Sequence, residues 1–280
     1  MNEKFNGNHV NYIAQGDGPP VIMIHGIAAS LYDWKHMISD LASQGYRAYA
    51  LDLLGHGDSI KPDNPDEYHV ETLYTHFESW VRELNFDTQP VLVGHSLGGY
   101  LSLLYALRYP GKVRGLVLID PFYTPLQLSP FLRFARTRPK LGSKALTIAS
   151  EWLIHTILGW DSETAKRLTP EARQQIAADY KRSSPNFVYI TKELSDLTPN
   201  LPQVNTPTQV IWGERDRTLS PTTFSRLAET MPNASSYMVP NCGHQPHIGK
   251  PELVNSLTLH FLDSLSSVDS RQPSRENAPP

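Results

Sequence analysis

VLVGHSLGG, residues 91–99, sets one serine between two glycines directly after a run of valine and leucine. The segment from Pro90 to Gly94 reads as a buried strand. The residues after the serine, LGGYLSLLYALRY at 97–109, read as an almost wholly apolar helix stopped by Pro110 and Gly111. GHSLG fits G-x-S-x-G, a pattern whose meaning depends on that strand-turn-helix setting. So tight a turn forces Ser96 into an unfavourable backbone conformation, and Gly94 and Gly98 must be small because a side chain at either would collide. The hydroxyl is lifted out at the strand's end. It stands beside the first unpaired amides of the helix, where the amide of Leu97 can face a negative oxygen. A serine hydroxyl keeps its proton at neutral pH, so the segment requires a base and a second amide donor from elsewhere in the chain.

Outward from this turn, short apolar runs alternate with helical patterns. Strands are predicted near 8–14, 20–25, 46–51, 90–94, 113–119, 207–212 and 235–239. The spacing of Leu73, Phe77, Trp80, Val81 and Leu84 predicts a helix over 70–84 with one apolar stripe. Ser220-Pro221 opens another helix, to about residue 230, and Pro251 opens a last one through Phe261. Such alternation is the signature of a mostly parallel sheet covered by helices on both faces. GDG at 16–18 suggests a hairpin joining the first two strands. Between Ile119 and Pro207 the pattern turns helical without clear strands, as an inserted subdomain would. The expected division is a core over 1–121, a helical cap over 122–203, the rest of the core over 204–266, and a disordered tail over 267–280.

At 280 residues with 40% hydrophobic content the chain can fill a large core, and a net charge of −3 argues against nucleic-acid binding through a broad basic field. Cys242 is the only cysteine, so no intramolecular disulfide can form and a reducing compartment is permitted. The N-terminal residues lack a secretory apolar stretch, which leads to a cytoplasmic expectation. ALTIASEWLIHTILGW at 145–160 is too short and too polar to span a bilayer. No strand is followed by G-x-G-x-x-G, no Walker lysine occurs, and no histidine–carboxylate–cysteine set has metal-ligand spacing. The expectation is therefore no cofactor and no metal.

The motifs together resemble the α/β-hydrolase superfamily, serine-nucleophile esterases and lipases in particular. HGIAAS (25–30), ALDLLGHGDSIKP (50–62), VLVGHSLGG, VLIDP (117–121), IWGERDRTLSP (211–221) and NCGHQPHIGKPE (241–252) stand in the family's order. The resemblance implies an α/β-hydrolase fold with a mostly parallel eight-stranded sheet and an inserted, mainly helical cap. It further implies a triad in the chain order serine, acid, histidine: Ser96, Asp216 and His244, with backbone amides of Ile27 and Leu97 as the oxyanion hole. His247 is the rival base, and packing within the same loop is its alternative reading. Asp120, after the preceding strand, is the rival acid, with a turn role before Pro121 as its alternative. His25, His56 and His95 are expected to support loops.

The insert is rich in apolar side chains, including Phe122, Tyr123, Leu126, Leu128, Trp152 and Trp160. That implies a small hydrophobic ester as substrate, cleaved through an acyl-enzyme, and cap packing would explain the same residues. Carbon–carbon hydrolysis of a vinylogous diketone, or lactone opening, would use the same triad. A non-catalytic receptor for a small ligand is the reading from another class. The basic, apolar stretch FLRFARTRPKLGSK at 131–144 is compatible with lying on an anionic lipid surface, or with an ordinary solvated face. Nothing in the sequence fixes the oligomeric state.

Overall fold

The structure is a computed structural model that describes residues 2–5, 8–128, 133–134, 136–148 and 168–269. Its strands are β1 (Asn2–Phe5), β2 (Asn8–Gln15), β3 (Pro20–Ile24), β4 (Arg47–Leu51), β5 (Val91–His95), β6 (Gly115–Ile119), β7 (Thr208–Gly213) and β8 (Ala234–Val239). They form one eight-stranded sheet in the order β1-β2-β4-β3-β5-β6-β7-β8. β2 runs antiparallel to both β1 and β4, and every pairing from β4 to β8 is parallel.

β3, β5 and β6 are buried along their whole length, and alternate residues feed two separate cores. Val21, Met23, Val91, Val93, Val117 and Ile119 face α1 (Lys35–Ser43) and the last helix, whose Val254, Phe261, Leu262 and Leu265 join the same cluster. Ile22, Ile24, Leu92, Leu116 and Leu118 face the other way. There they pack with Leu73, Phe77 and Trp80 of α2 (Val70–Glu83) and Leu101 of α3 (Leu97–Arg108). Both faces of these strands are covered, so the sequence shows unbroken apolar runs instead of alternation.

The insert contributes α4 (Pro139–Ile148), α5 (Pro170–Arg182) and α6 (Val188–Glu193). After β7 come α7 (Thr222–Thr230), the single turn α8 (Pro246–Gly249) and α9 (Pro251–Asp269). α9 thus runs three residues into the stretch expected to lack structure, and residues 270–280 lie outside the described ones.

The hairpin expected at GDG does not form. β4 lies between β2 and β3, so the connection passes across the start of β4 instead of folding back. Gly16 and Gly18 both have positive φ, 81° and 127°, and a side chain at either would strike the carbonyl of Tyr46 or Gly45. The glycines serve that crossing. The antiparallel partners of β2 are β4 and β1, the latter paired from Asn2↔Asn11 to Phe5↔Asn8.

Candidate active site

The chain runs from β3 to β4 on one side and then to β5 on the other, so the strand order reverses between β3 and β5. Crevices outside the carboxyl ends of strands at such a reversal are where open α/β sheets bind ligands. Ser96 stands there, between β5 and α3, with φ 50° and ψ −111°. A side chain in this region costs about 1–3 kcal/mol unless its surroundings over-determine it. Here they do: the Ser96 amide donates to the Ile119 carbonyl at 3.0 Å, and its carbonyl accepts from the amides of Phe122 (3.0 Å) and Tyr100 (3.2 Å). A Cβ on Gly98 would run into the carbonyl oxygen of Ile24, and one on Gly94 into the main chain of Gly98. Glycine at 98 lets the turn approach β3, and glycine at 94 lets α3 fold back against β5.

Across the crevice, the loop after β3 comes against the same serine. A Cβ on Gly26 would sit 3.2 Å from Cβ of Ser96. His25 braces this loop: its Nδ1–H donates to the Gly26 carbonyl (2.7 Å), and its Nε2 accepts from the Leu53 amide (3.0 Å). Burial pushes His25 down to about 4 and His56 down to about 3, so both rings are neutral struts. Among the described residues, neither the Ile27 amide nor the Leu97 amide is taken by a main-chain carbonyl of a turn or loop. Leu97 is the first residue of α3, directly after Ser96, and Ile27 directly follows Gly26.

His244 and Asp216 come from the loops after β8 and β7. These loops are joined: the Arg215 amide donates to the Cys242 carbonyl (2.8 Å), and the Asn241 amide to the Glu214 carboxylate (2.7 Å). His244 Nδ1 lies 2.7 Å from Asp216 Oδ2 with both residues buried. The other carboxylate oxygen accepts from the amides of Thr218 (2.7 Å) and Leu219 (3.0 Å), so Asp216 is held as an oriented acceptor. His244 is also tied to the serine turn. His95, the residue before Ser96, donates its Nε2–H to the His244 carbonyl at 2.8 Å, and the two rings are 4.9 Å apart.

Asp120, at the end of β6, accepts from the Gly213 amide (3.0 Å), while its Oδ2 is buried with no hydrogen-bond partner among the described residues. Burial, reinforced by the nearby Asp216 carboxylate, raises the Asp120 pKa well above the ordinary carboxylate range. His247 points elsewhere from the same loop as His244. It stacks on Trp34 (centroids 4.7 Å, 28°) and lies 3.9 Å from Asp33. Two clusters among the described residues gather three ligand-type atoms within 4.8 Å: Asp120–Asp216–His244 and Asp33–His95–His247. In the first, the Asp216 and His244 atoms are already paired with each other.

A family model described as alpha/beta hydrolase fold matches residues 19–251. The chain belongs to the α/β-hydrolase fold family. It is 28% identical to the 2-hydroxy-6-oxo-6-(2'-aminophenyl)hexa-2,4-dienoic acid hydrolase of Metapseudomonas resinovorans, over 94% of this chain and 90% of that one. It is 26% identical to monoacylglycerol lipase ABHD6 of Homo sapiens, over 92% and 79% of the two chains, and epoxide hydrolases are among its other relatives. The solved structure of an esterase from Thermogutta terrifontis superimposes with a TM-score of 0.80 at 24% identity, covering 94% of this chain and 97% of that one. The insert of this chain lies between β6 and β7.

Within that insert, Phe122 and Tyr123 are buried and Leu126 is 67% exposed. Tyr123 is committed to packing, its hydroxyl donating to the Thr223 carbonyl. Residues 131–132 and 149–167, which include Trp152 and Trp160, lie outside the described ones. Arg136 turns inward and donates to the carbonyls of Lys192 and Leu194, both at 3.0 Å. Among the described residues no helix is long and apolar enough to cross a membrane.

Proposed function

We propose that this α/β-hydrolase cleaves a carboxylic ester with a hydrophobic acyl or alkyl group through an acyl-enzyme, with Ser96 as nucleophile. The observation that carries the reading is the 2.7 Å contact between His244 Nδ1 and an Asp216 carboxylate whose other oxygen is filled by backbone donors. That contact fixes the proton on Nδ1 and leaves Nε2 as the basic nitrogen. Ser96 Oγ attacks the ester carbonyl as Nε2 takes its proton. The tetrahedral oxyanion is met by the amides of Ile27 and Leu97. Collapse breaks the C–O bond, and Nε2 returns the proton to the departing alcohol. Water, deprotonated by the same nitrogen, then attacks the acyl-serine and releases the acid. Residues 122–203 act as the cap that selects the substrate, and no cofactor takes part in these steps.

The test is turnover of an activated short ester together with labelling by a fluorophosphonate probe. Wild type should show burst release of the alcohol and label at one residue, and Ser96→Ala should lose about 10⁶ in turnover. Undiminished hydrolysis in that variant would remove the mechanism, and failure to label at all would favour a ligand-binding role. The similarity to the Metapseudomonas enzyme favours a second reading with the same residues, hydrolysis of a carbon–carbon bond beside a ketone. A panel of esters of graded acyl length, a lactone and a vinylogous diketone separates the two.

A further inference from the structure

The described part of the insert buries one carboxylate deep against the core. Asp179 on α5 is 1% exposed, on the same helix face as the apolar Ile176, Ala177 and Tyr180. Docking by an apolar face needs no acid, and a buried charge is tolerated only where partners surround it. Asp179 Oδ2 accepts from the hydroxyl of Ser30 (2.8 Å). Its Oδ1 accepts from Gln175 (2.9 Å) and Arg182 (2.6 Å). Arg182 reaches on to Asp58 of the core at 3.1 Å, and the Ser184 amide donates to the Gly55 carbonyl at 2.7 Å.

Ser30 closes the loop that begins at His25 and lies against Ser96. Its hydroxyl also accepts from the Tyr32 amide (3.1 Å), capping the following helical turn. One residue on, the Leu31 amide donates to Asp52 (2.8 Å). The loop contains a strained residue, Ala28 with φ 59°, and so depends on its anchors to keep its shape. His25 and Asp52 anchor it from the core, and Asp179 anchors it from the insert.

We propose that Asp179 is a positioning residue: through Ser30 it sets the Ile27-bearing loop against Ser96, so that docking of the insert completes the oxyanion hole. This rests on the ester-hydrolase reading above. A misplacement of about 1 Å in such a site costs on the order of 10²-fold, and the cost falls on the transition state, not on substrate binding.

The experiment uses the full chain with an activated butyrate ester and compares Asp179→Ala, Ser30→Ala, the double variant and Ser30→Thr. Asp179→Ala and Ser30→Ala should each lower kcat by about 10- to 100-fold with KM within about 3-fold, and the double variant should be no worse than the poorer single one. Ser30→Thr, which keeps the hydroxyl, should recover most of the loss. Affinity for a trifluoromethyl ketone, which forms a tetrahedral adduct on the serine, should fall in step with kcat/KM, while affinity for the product acid stays level. Should Asp179→Ala fold poorly in a melting scan, the two Ser30 variants carry the test alone. Full kcat in Ser30→Ala, additive losses, or a change confined to KM would overturn the clamp. Inactive wild type, or an active Ser96→Ala, would overturn the hydrolase reading and the clamp with it. An inactive Ser96→Ala beside a fully active Ser30→Ala would sink the clamp only.

Discussion

Two buried aspartate–histidine pairs lie under one rim of the sheet, and their histidines, His244 and His247, are three residues apart in one loop. The Asp216–His244 pair is closed at 2.7 Å, and the second oxygen of Asp216 is saturated by two amides. The Asp33–His247 pair is open at 3.9 Å, with Asp33 Oδ2 and both ring nitrogens of His247 lacking hydrogen-bond partners among the described residues. Burial raises the Asp33 pKa, with His247 opposing, whereas its ring stacking on Trp34 gives His247 an apolar partner. The residue types are identical and the environments are not. Two backbone amides and the His244 ring hold the Asp216 carboxylate in one orientation, whereas His247 is placed by stacking on Trp34.

The largest effect that would test this contrast belongs to Asp216. Asp216→Asn keeps the size of the side chain but presents an amide to Nδ1, which favours the wrong tautomer of His244. Turnover of the activated ester should fall by about 10⁴ while the melting temperature changes little. Steady-state kinetics checks this, and a loss under tenfold would put the orienting acid elsewhere.

A smaller effect is expected at the open pair. His247→Phe retains a flat ring for Trp34 and removes both nitrogens. Turnover should stay within about tenfold of wild type, and stability should shift by about 1–3 kcal/mol in denaturant melts. A loss comparable to that of Asp216→Asn would erase the distinction between the pairs and give His247 a part in the chemistry.

The serine turn was legible in the sequence, because its signals are local. Strand, glycine turn and apolar helix around Ser96 are written within residues 90–109. His244 and Asp216 follow strands whose ends must share a rim in a parallel sheet, as they do. GDG misled because two glycines in a turn signal a tight reversal, and only the sheet order reveals that a third strand intervenes. Asp179 was legible in principle, since it breaks the stripe formed by Ile176, Ala177 and Tyr180. Its partner Ser30 is 149 residues away, a distance no local pattern bridges. His247 and His244 could be ranked only by resemblance, for what separates them is the set of donors around each distant aspartate.

The smallest effect concerns Asp120, which sits beside the closed pair and would take over the role of Asp216 if the contrast were wrong. Its folded pKa is raised by burial and by the Asp216 charge, so the folded chain holds a proton there that the unfolded chain releases above about pH 4. A group raised in this way contributes stability below its unfolded pKa, and that contribution is lost as pH climbs through the folded value. Asp120→Asn keeps an oxygen for the Gly213 amide and is uncharged at every pH. Turnover should remain within about threefold of wild type. The melting temperature of the variant relative to wild type should rise as pH climbs from the unfolded value of about 4 toward the raised folded value, as wild type loses the Asp120 contribution. Parallel melts across that range measure the difference. A flat difference would mean that Asp120 is ionised in the folded chain, and two charged carboxylates would then share the surroundings of one imidazole.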